Sequence, residues 1–348
     1  MSEIELDTNI HMGCRTEDGD NQYNWHSIDM KTLKPSHDTL ILMCGGNNTN
    51  CERAGNGNAK VPDLLLSSKI RGRTKIYSLW YDGEPISSNS GILLDEYRIE
   101  AHEIFPNIIR PMLCDQVGNI KEKQGIEKVL NKLVLSSHCG GSEFVNIIID
   151  DMYDFLASHY HPSIAKQLIG KVKYFAYAPF HLPNKAVNSF IITPFFDNNC
   201  LWTNVLNEIE DKRVCVDYPR GVVKKLQKAR ERGELYEAFK NIFGSERMIV
   251  IRSEQSIYVI PNRLNANTAV GDHSIDCLIK NSVLGANTDC ANTARVLNKL
   301  SQLVMNQYAS GKPVDSKELF DRVTAILKKN RSNSVDEANT DTVATDEI

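Results

Sequence analysis

Residues 136–142 carry the side chains most capable of chemistry in this chain. They read Ser-Ser-His-Cys-Gly-Gly-Ser, follow the apolar run 133–135 and precede an apolar-periodic run that begins at Phe144. A strand, a tight glycine-supported turn with a nucleophilic side chain, and a helix are the parts of a nucleophile elbow. A thiol there lies near a helix N-terminus, which favours the thiolate. The pattern predicts Cys139 as a catalytic nucleophile; the alternative is a strand-to-helix turn with an unreactive buried cysteine.

A second glycine pair, Gly45-Gly46, follows the predicted strand 38–43. Glycines let backbone N–H groups approach a developing oxyanion, and such donors supply much of the catalysis in acyl transfer. We therefore expect Gly45, Gly46 and the amide of Gly140 to form an oxyanion hole. The alternative is an ordinary turn leaving a strand.

A thiol nucleophile needs a base, and histidine titrates in the right range. His273, within Gly-Asp-His-Ser at 271–274, is the first candidate. Asp197, which follows the predicted strand 191–195, is the carboxylate expected to orient that imidazole. Other residues stay open for both roles: the histidines His138, His159, His161 and His181, and the carboxylates Asp217, Glu254 and Asp272.

Composition excludes several classes of protein. The chain has 348 residues, 41% of them hydrophobic, and a formal net charge of −4, so it lacks the basic footprint of a nucleic-acid-binding protein. No apolar run approaches the roughly 20 residues needed to span a membrane, and the polar, acidic N-terminus is unlike a secretory signal. We expect a cytoplasmic protein, or one secreted into a host cytosol without a signal peptide.

The cysteines point to a reducing compartment. There are 9 of them, scattered along the chain with no CxxC pair. An odd, dispersed set argues against a disulfide framework, and the spacing does not match a zinc site. We expect no metal and no cofactor.

The elements around these residues alternate between strands and helices through about residue 180. This alternation predicts an α/β fold with a mostly parallel central sheet flanked by helices. Such sheets bind ligands at the carboxyl ends of their strands, so both glycine turns are expected at one cleft. The connection 178–189 is shorter than a usual parallel crossover, which predicts a hairpin turn at 181–185 and an antiparallel late portion of the sheet.

Three regions are predicted along the chain. Residues 1–35 form a polar N-terminal arm or an edge hairpin. Residues 36–329 form a single domain built on the central sheet. Residues 330–348 are an acidic tail whose composition is typical of disorder.

Together these residues resemble the α/β-hydrolase superfamily. Residues 137–142 are similar to its Gly-His-Ser-x-Gly-Gly elbow, with Cys139 in place of serine, and residues 44–46 are similar to its His-Gly-Gly oxyanion segment. The resemblance implies the chain order nucleophile, acid and histidine, at Cys139, Asp197 and His273. It implies a hydrolase or acyl-transferase that acts on a small-molecule or acyl substrate with an ester, thioester or amide bond.

Two other interpretations stay open. One is a catalytically inactive hydrolase-like protein that binds a protein partner, such as a secreted bacterial effector. The other makes His138 the catalytic histidine, because caspase-like and clostripain-like cysteine peptidases place a His-Gly after one strand and their cysteine after the next. Here the next strand runs into Ala-Pro-Phe-His at 178–181 without a cysteine.

Overall fold

The computed structural model of the protein describes residues 9–17, 23–28, 39–47, 49–87, 93–194, 221–234, 249–252, 255–260 and 288–315, together with single positions beyond residue 234. Within these ranges the chain forms a nine-stranded sheet with helices on both faces. No helix among them is both long and apolar enough to cross a membrane.

The strands are β1 (Ile10–Glu17), β2 (Tyr23–Ile28), β3 (Thr39–Cys44), β4 (Thr74–Tyr81), β5 (Leu133–His138), β6 (Lys173–Tyr177), β7 (Asn188–Pro194), β8 (Ile249–Arg252) and β9 (Gln255–Ile260). The helices are α1 (Glu52–Leu65), α2 (Ser68–Arg71), α3 (Asp95–Ala101), α4 (Arg110–Leu113), α5 (Lys123–Leu130), α6 (Gly141–Ala157), α7 (Pro162–Ile169), α8 (Val222–Glu231) and α9 (Thr288–Ala309). A π-helical turn, Phe105–Ile109, precedes α4.

The strand order is β2-β1-β4-β3-β5-β6-β7-β9-β8. Strands β4, β3, β5, β6, β7 and β9 run parallel to one another. Antiparallel strands close both edges: β1 pairs with β4 and β2 at one edge, and β8 pairs with β9 at the other. The α/β class with a mostly parallel sheet is therefore confirmed.

The predicted hairpin after β6 is wrong, because β7 pairs with β6 in parallel, from Lys173 opposite Asn188 to Tyr177 opposite Ile192. An extended chain covers about 3.3 Å per residue. Residues 178–187 can therefore return along β6, a strand of 5 residues, without a helix. The antiparallel pair in the late part of the sheet is β8 with β9 instead.

The sheet divides the buried side chains into two cores, because successive strand residues point to opposite faces. In β5, Leu133 and Leu135 face one core and Val134 faces the other. Helices α3, α5, α6, α7 and α8 cover the first core, and α1 and α9 cover the second.

Helix α6 is anchored to the first core by its apolar stripe. Each fully buried aliphatic or aromatic side chain contributes about 1.5–3 kcal/mol. The stripe keeps the N-terminus of α6 against the end of β5. Its fully buried members are Phe144, Val145, Ile148, Ile149, Met152 and Leu156.

Candidate active site

Cys139 occupies the turn between β5, which ends at His138, and α6, which begins at Gly141. Its φ is +54°, in the left-handed region, and its side chain is half-buried. That conformation costs a residue with a Cβ roughly 1–2 kcal/mol. A strained non-glycine residue at a strand-to-helix turn is the backbone arrangement that a nucleophile elbow requires.

The loop after β3 packs directly on this turn. A Cβ added to Gly46 would lie 2.6 Å from the Cβ of Cys139 and 2.8 Å from the amide nitrogen of Gly140. A Cβ added to Gly141 would collide with the backbone carbonyl of Cys44. The structure thus brings Gly46, Cys139 and Gly140 together, and glycine at 46 and 141 permits the contact.

The amides of Gly46 and Gly140 are the donors nearest the thiol. Within the described residues, neither N–H has a hydrogen-bond acceptor. In a nucleophile elbow the oxyanion is held by the N–H after the nucleophile and by an N–H of the loop that follows β3. The carbonyl of Gly45 accepts from the Tyr81 hydroxyl (3.1 Å), and its Cα packs against Thr49.

A side-chain clamp holds the adjoining loop over the turn. Asn47 Nδ2 donates to the carbonyl of Ile86 (2.9 Å), and the Ile86 N–H donates to Asn47 Oδ1 (2.9 Å). The Ile86 side chain lies against Gly140, where an added Cβ would strike it. The clamp therefore ties the loop after β3 and the loop after β4 to the same turn.

Ser142 joins the turn to the segment that follows β6. Its hydroxyl donates to the carbonyl of Cys139 (3.1 Å) and accepts from the N–H groups of Phe180 and His181 (3.1 Å each). Ala178, at the end of β6, is a second left-handed residue, with φ +46°, and it is fully buried. Two neighbouring strand ends therefore carry strained residues, which cluster at functional sites.

If His138 were the catalytic histidine, the nucleophilic cysteine would follow the next strand, β6. Because β6 leads into Ala178, this interpretation has no nucleophile. The His138 ring itself lies beside the ring of Tyr177, with 6.2 Å between their centroids. Two further candidates, His159 and His161, lie beyond the far end of α6, a helix of 17 residues. At 1.5 Å per residue that end is about 25 Å from the turn.

His181 is the candidate histidine that the structure places beside the turn. Its Nε2 lies 3.8 Å from Oε1 of Glu143, in the first turn of α6, and the two side chains are 32% and 15% exposed. An imidazole next to a carboxylate is therefore present near Cys139.

The predicted histidine His273 and the predicted acid Asp197 lie outside the described residues, as do the alternatives Asp217, Glu254 and Asp272. The strands that precede them are described, however. β7 and β9 run parallel to β5, so their carboxyl ends lie at the edge that bears Cys139.

The other described cysteines have different surroundings. Cys44 is fully buried, and burial raises the pKa of its thiol. Burial also raises the pKa of Cys14, an effect that the positive charge of Lys75 opposes. Cys51 is exposed. Over the described ranges, no group of three or more His, Cys, Asp or Glu side chains is arranged to hold a metal ion.

Sequence reasoning missed the residues that support the turn. Asn47 follows the glycine pair, and Ser142 is the last residue of the stretch 136–142. Both are adjacent to predicted site residues, but the sequence pattern assigned neither of them a role. Their signal was composition, because Asn and Ser favour turns and helix starts. Their actual partners, Ile86 and Phe180, are distant in the chain and were not predictable from spacing.

No protein-family model matches the chain, and a search of curated proteins gave no significant match. A fold of this class hosts many activities, so function has to be argued from the site itself.

Proposed function

We propose that the protein is a hydrolase or acyl-transferase that uses the thiolate of Cys139 to attack an ester, thioester or amide carbonyl. The observation that carries this proposal is the left-handed Cys139 at a strand-to-helix turn with the backbone of Gly46 packed against it. Acyl transfer needs both parts, a nucleophile and donors for the oxyanion.

The reaction follows from these parts. The Cys139 sulfur forms a bond to the carbonyl carbon, and the amides of Gly140 and Gly46 donate to the resulting oxyanion. The bond to the leaving group then breaks, the leaving group takes a proton, and a thioester to Cys139 remains. Attack by water or by a second acceptor releases the acyl group and restores the thiol.

The surroundings of the turn support this chemistry. The first N–H groups of α6 point toward the turn, so the proposed nucleophile lies at the positive end of the helix dipole. Strain at Cys139 and Ala178 is retained although a less strained backbone would be more stable. Such retention is typical of sites where geometry serves function.

Thiol labelling tests the nucleophile. Iodoacetamide at limiting concentration, at pH 7, is expected to modify half-buried Cys139 at least about tenfold faster than exposed Cys51, because activation then outweighs access. Exposure alone predicts the opposite order, so Cys51 serves as an internal control. Equal or slower labelling of Cys139 would contradict the proposal.

Substrate turnover tests the reaction. A panel of nitrophenyl esters, acyl thioesters and aryl amides should include a substrate whose hydrolysis or transfer is lost in Cys139→Ala and kept in Cys51→Ala. An acyl adduct of the expected mass on the Cys139 peptide would identify the intermediate. A reactive Cys139 without turnover or adduct would favour the inactive, partner-binding interpretation.

A further inference from the structure

The ends of β5 and β6 are joined by backbone hydrogen bonds. The N–H of Cys139 donates to the carbonyl of Tyr177 (3.4 Å), and the N–H of Phe180 donates to the carbonyl of Cys139 (3.1 Å). Phe180 is thus hydrogen-bonded to the backbone of the proposed nucleophile, and His181 is the next residue along the chain. Because β5 and β6 are neighbours in the sheet, their ends are separated by about 4.8 Å.

The backbone and the ring of His181 are both tied to α6. Its N–H donates to the Ser142 hydroxyl (3.1 Å), and its Nε2 lies 3.8 Å from Glu143 Oε1. Phe180 packs against the ring, with 4.9 Å between the ring centroids. A carboxylate beside an imidazole fixes its orientation and stabilises the imidazolium that forms when it accepts a proton.

Among the described residues, the neighbouring titratable groups include Cys139 and His138, at the end of β5, Tyr177 of β6 and Glu143 on α6. His138 lies on the strand face that carries Val134, toward Tyr177 of β6. Consecutive side chains of a strand point to opposite faces, so a residue on the adjacent strand end is better placed than His138 to meet Cys139.

We infer that His181 is the catalytic base for Cys139 and that Glu143 is the carboxylate that positions it. This inference rests on the proposed function. The proton leaves the Cys139 sulfur for a nitrogen of His181, and the same nitrogen then delivers it to the leaving group. Cys139 lies just before α6 and Glu143 lies in its first turn, and His181 lies in the connection between β6 and β7.

Labelling kinetics of the full-length chain test the assignment. In His181→Gln, the rate of Cys139 alkylation by iodoacetamide at pH 7 is expected to fall at least tenfold, with the rate at Cys51 unchanged within about twofold. The pH dependence of the Cys139 rate between pH 5 and 8 should change as well. His159→Gln, at the far end of α6, is the matched control and should behave as the unchanged chain.

Two further variants separate catalysis from positioning. Glu143→Gln leaves the imidazole in place and is expected to lower kcat about tenfold with little change in KM, and Glu143→Asp should restore part of it. Imidazole added to His181→Ala should recover part of the Cys139 reactivity, which a merely structural role would not allow. If a His181 variant does not fold, as judged by circular dichroism, the kinetics of Glu143→Gln and Glu143→Asp test the inference instead.

The outcomes distinguish this inference from the proposed function. If Cys139 is unreactive in the unchanged chain, the proposed function fails, and this inference fails with it. If Cys139 is reactive and His181→Gln leaves its rate and pH profile unchanged, only the assignment of His181 is overturned. Loss of reactivity in His273→Gln with His181→Gln unaffected would assign the base to His273 instead.

Discussion

The parallel strands have a carboxyl edge, where their C-terminal ends lie, and an amino edge, where their N-terminal ends lie. These two edges differ in how their polar groups are satisfied. At the carboxyl edge, Cys139 and Ala178 are held in left-handed conformations, and the amides of Gly46 and Gly140 lack acceptors among the described residues. At the amino edge, several buried polar groups are paired, although the Ser189 hydroxyl of β7 has no partner among the described residues. The pairs there are Thr39 Oγ1 to the Ala309 carbonyl (2.8 Å), Lys173 to Asn131, Asn188 to Val314 and Tyr308 to Asn188.

The two edges of this one sheet therefore have different roles. The amino edge is closed by contacts with α9 and with the segment that follows it, which stabilise the fold. The carboxyl edge keeps strain and open donors, which the rest of the sheet has to support. Substitutions at the amino edge should therefore change stability alone, and those at the carboxyl edge should change reactivity as well.

The largest effect is expected at Gly141, where the start of α6 contacts the end of β3. Gly141→Ala places a Cβ into the backbone carbonyl of Cys44, which cannot move without displacing β3. The free energy of unfolding should fall by about 3 kcal/mol or more, measured by urea denaturation. Gly57→Ala is the control: a Cβ there meets nothing within 4 Å and should stabilise helix α1 by up to about 1 kcal/mol. A tolerated Gly141→Ala would show that the turn and β3 are not closely packed.

Lys173 gives the amino edge a pH dependence. Burial lowers the pKa of its ammonium from 10.5 to about 8. The folded state therefore binds fewer protons than the unfolded state between those values, and stability should rise with pH across that window by at most about 1.4 kcal/mol per pH unit. Below pH 8 the penalty for burying the charge is fully present. Lys173→Met lacks this titration, so the difference in unfolding free energy between the two proteins should vary from pH 8 to 10.5; a constant difference would contradict the shift.

Thr39 tests whether the amino edge acts on stability alone. Thr39→Val keeps the shape of the side chain and leaves the buried carbonyl of Ala309 without its donor. The expected loss is about 2 kcal/mol in the free energy of unfolding. The labelling rate of Cys139 should stay within twofold of the unchanged chain. A large change in that rate would show that the two edges are coupled.

The smallest effect is expected from relieving strain at Cys139. Glycine adopts a φ of +54° without the penalty that alanine has there. Cys139→Gly should therefore be more stable than Cys139→Ala by about 0.5–1 kcal/mol, once the larger unfolded-state entropy of glycine is deducted. Both variants lose the thiol. The same replacement at Ala157, in helix α6, should have the opposite sign; equal signs would mean that residue 139 is unstrained.

The local patterns of the sequence were sufficient for the elements that carry the site. Apolar runs predicted β3 and β5, and helical spacing from Phe144 to Leu156 predicted α6 with its ends shifted by about two residues. These features depend on residue type and period, which a single segment already contains. The glycine-supported turn between β5 and α6 was predictable for the same reason.

The partners of that turn were decided by tertiary structure. The direction of β7 could not be predicted from the length of its connection, because Ser142 and Asn146 on α6 hold the returning segment through its backbone. Those hydrogen bonds join positions far apart in the chain, and local composition does not encode them.

The sequence alone was thus enough to assign β3, β5, α6 and the glycine-supported turn between β5 and α6. Only the folded chain decided that Gly46 lies against Cys139 and that His181 meets Glu143. The physical reason is that periodicity specifies which face of an element is buried. The order and direction of neighbouring strands, and so the contacts at their ends, follow from long-range packing.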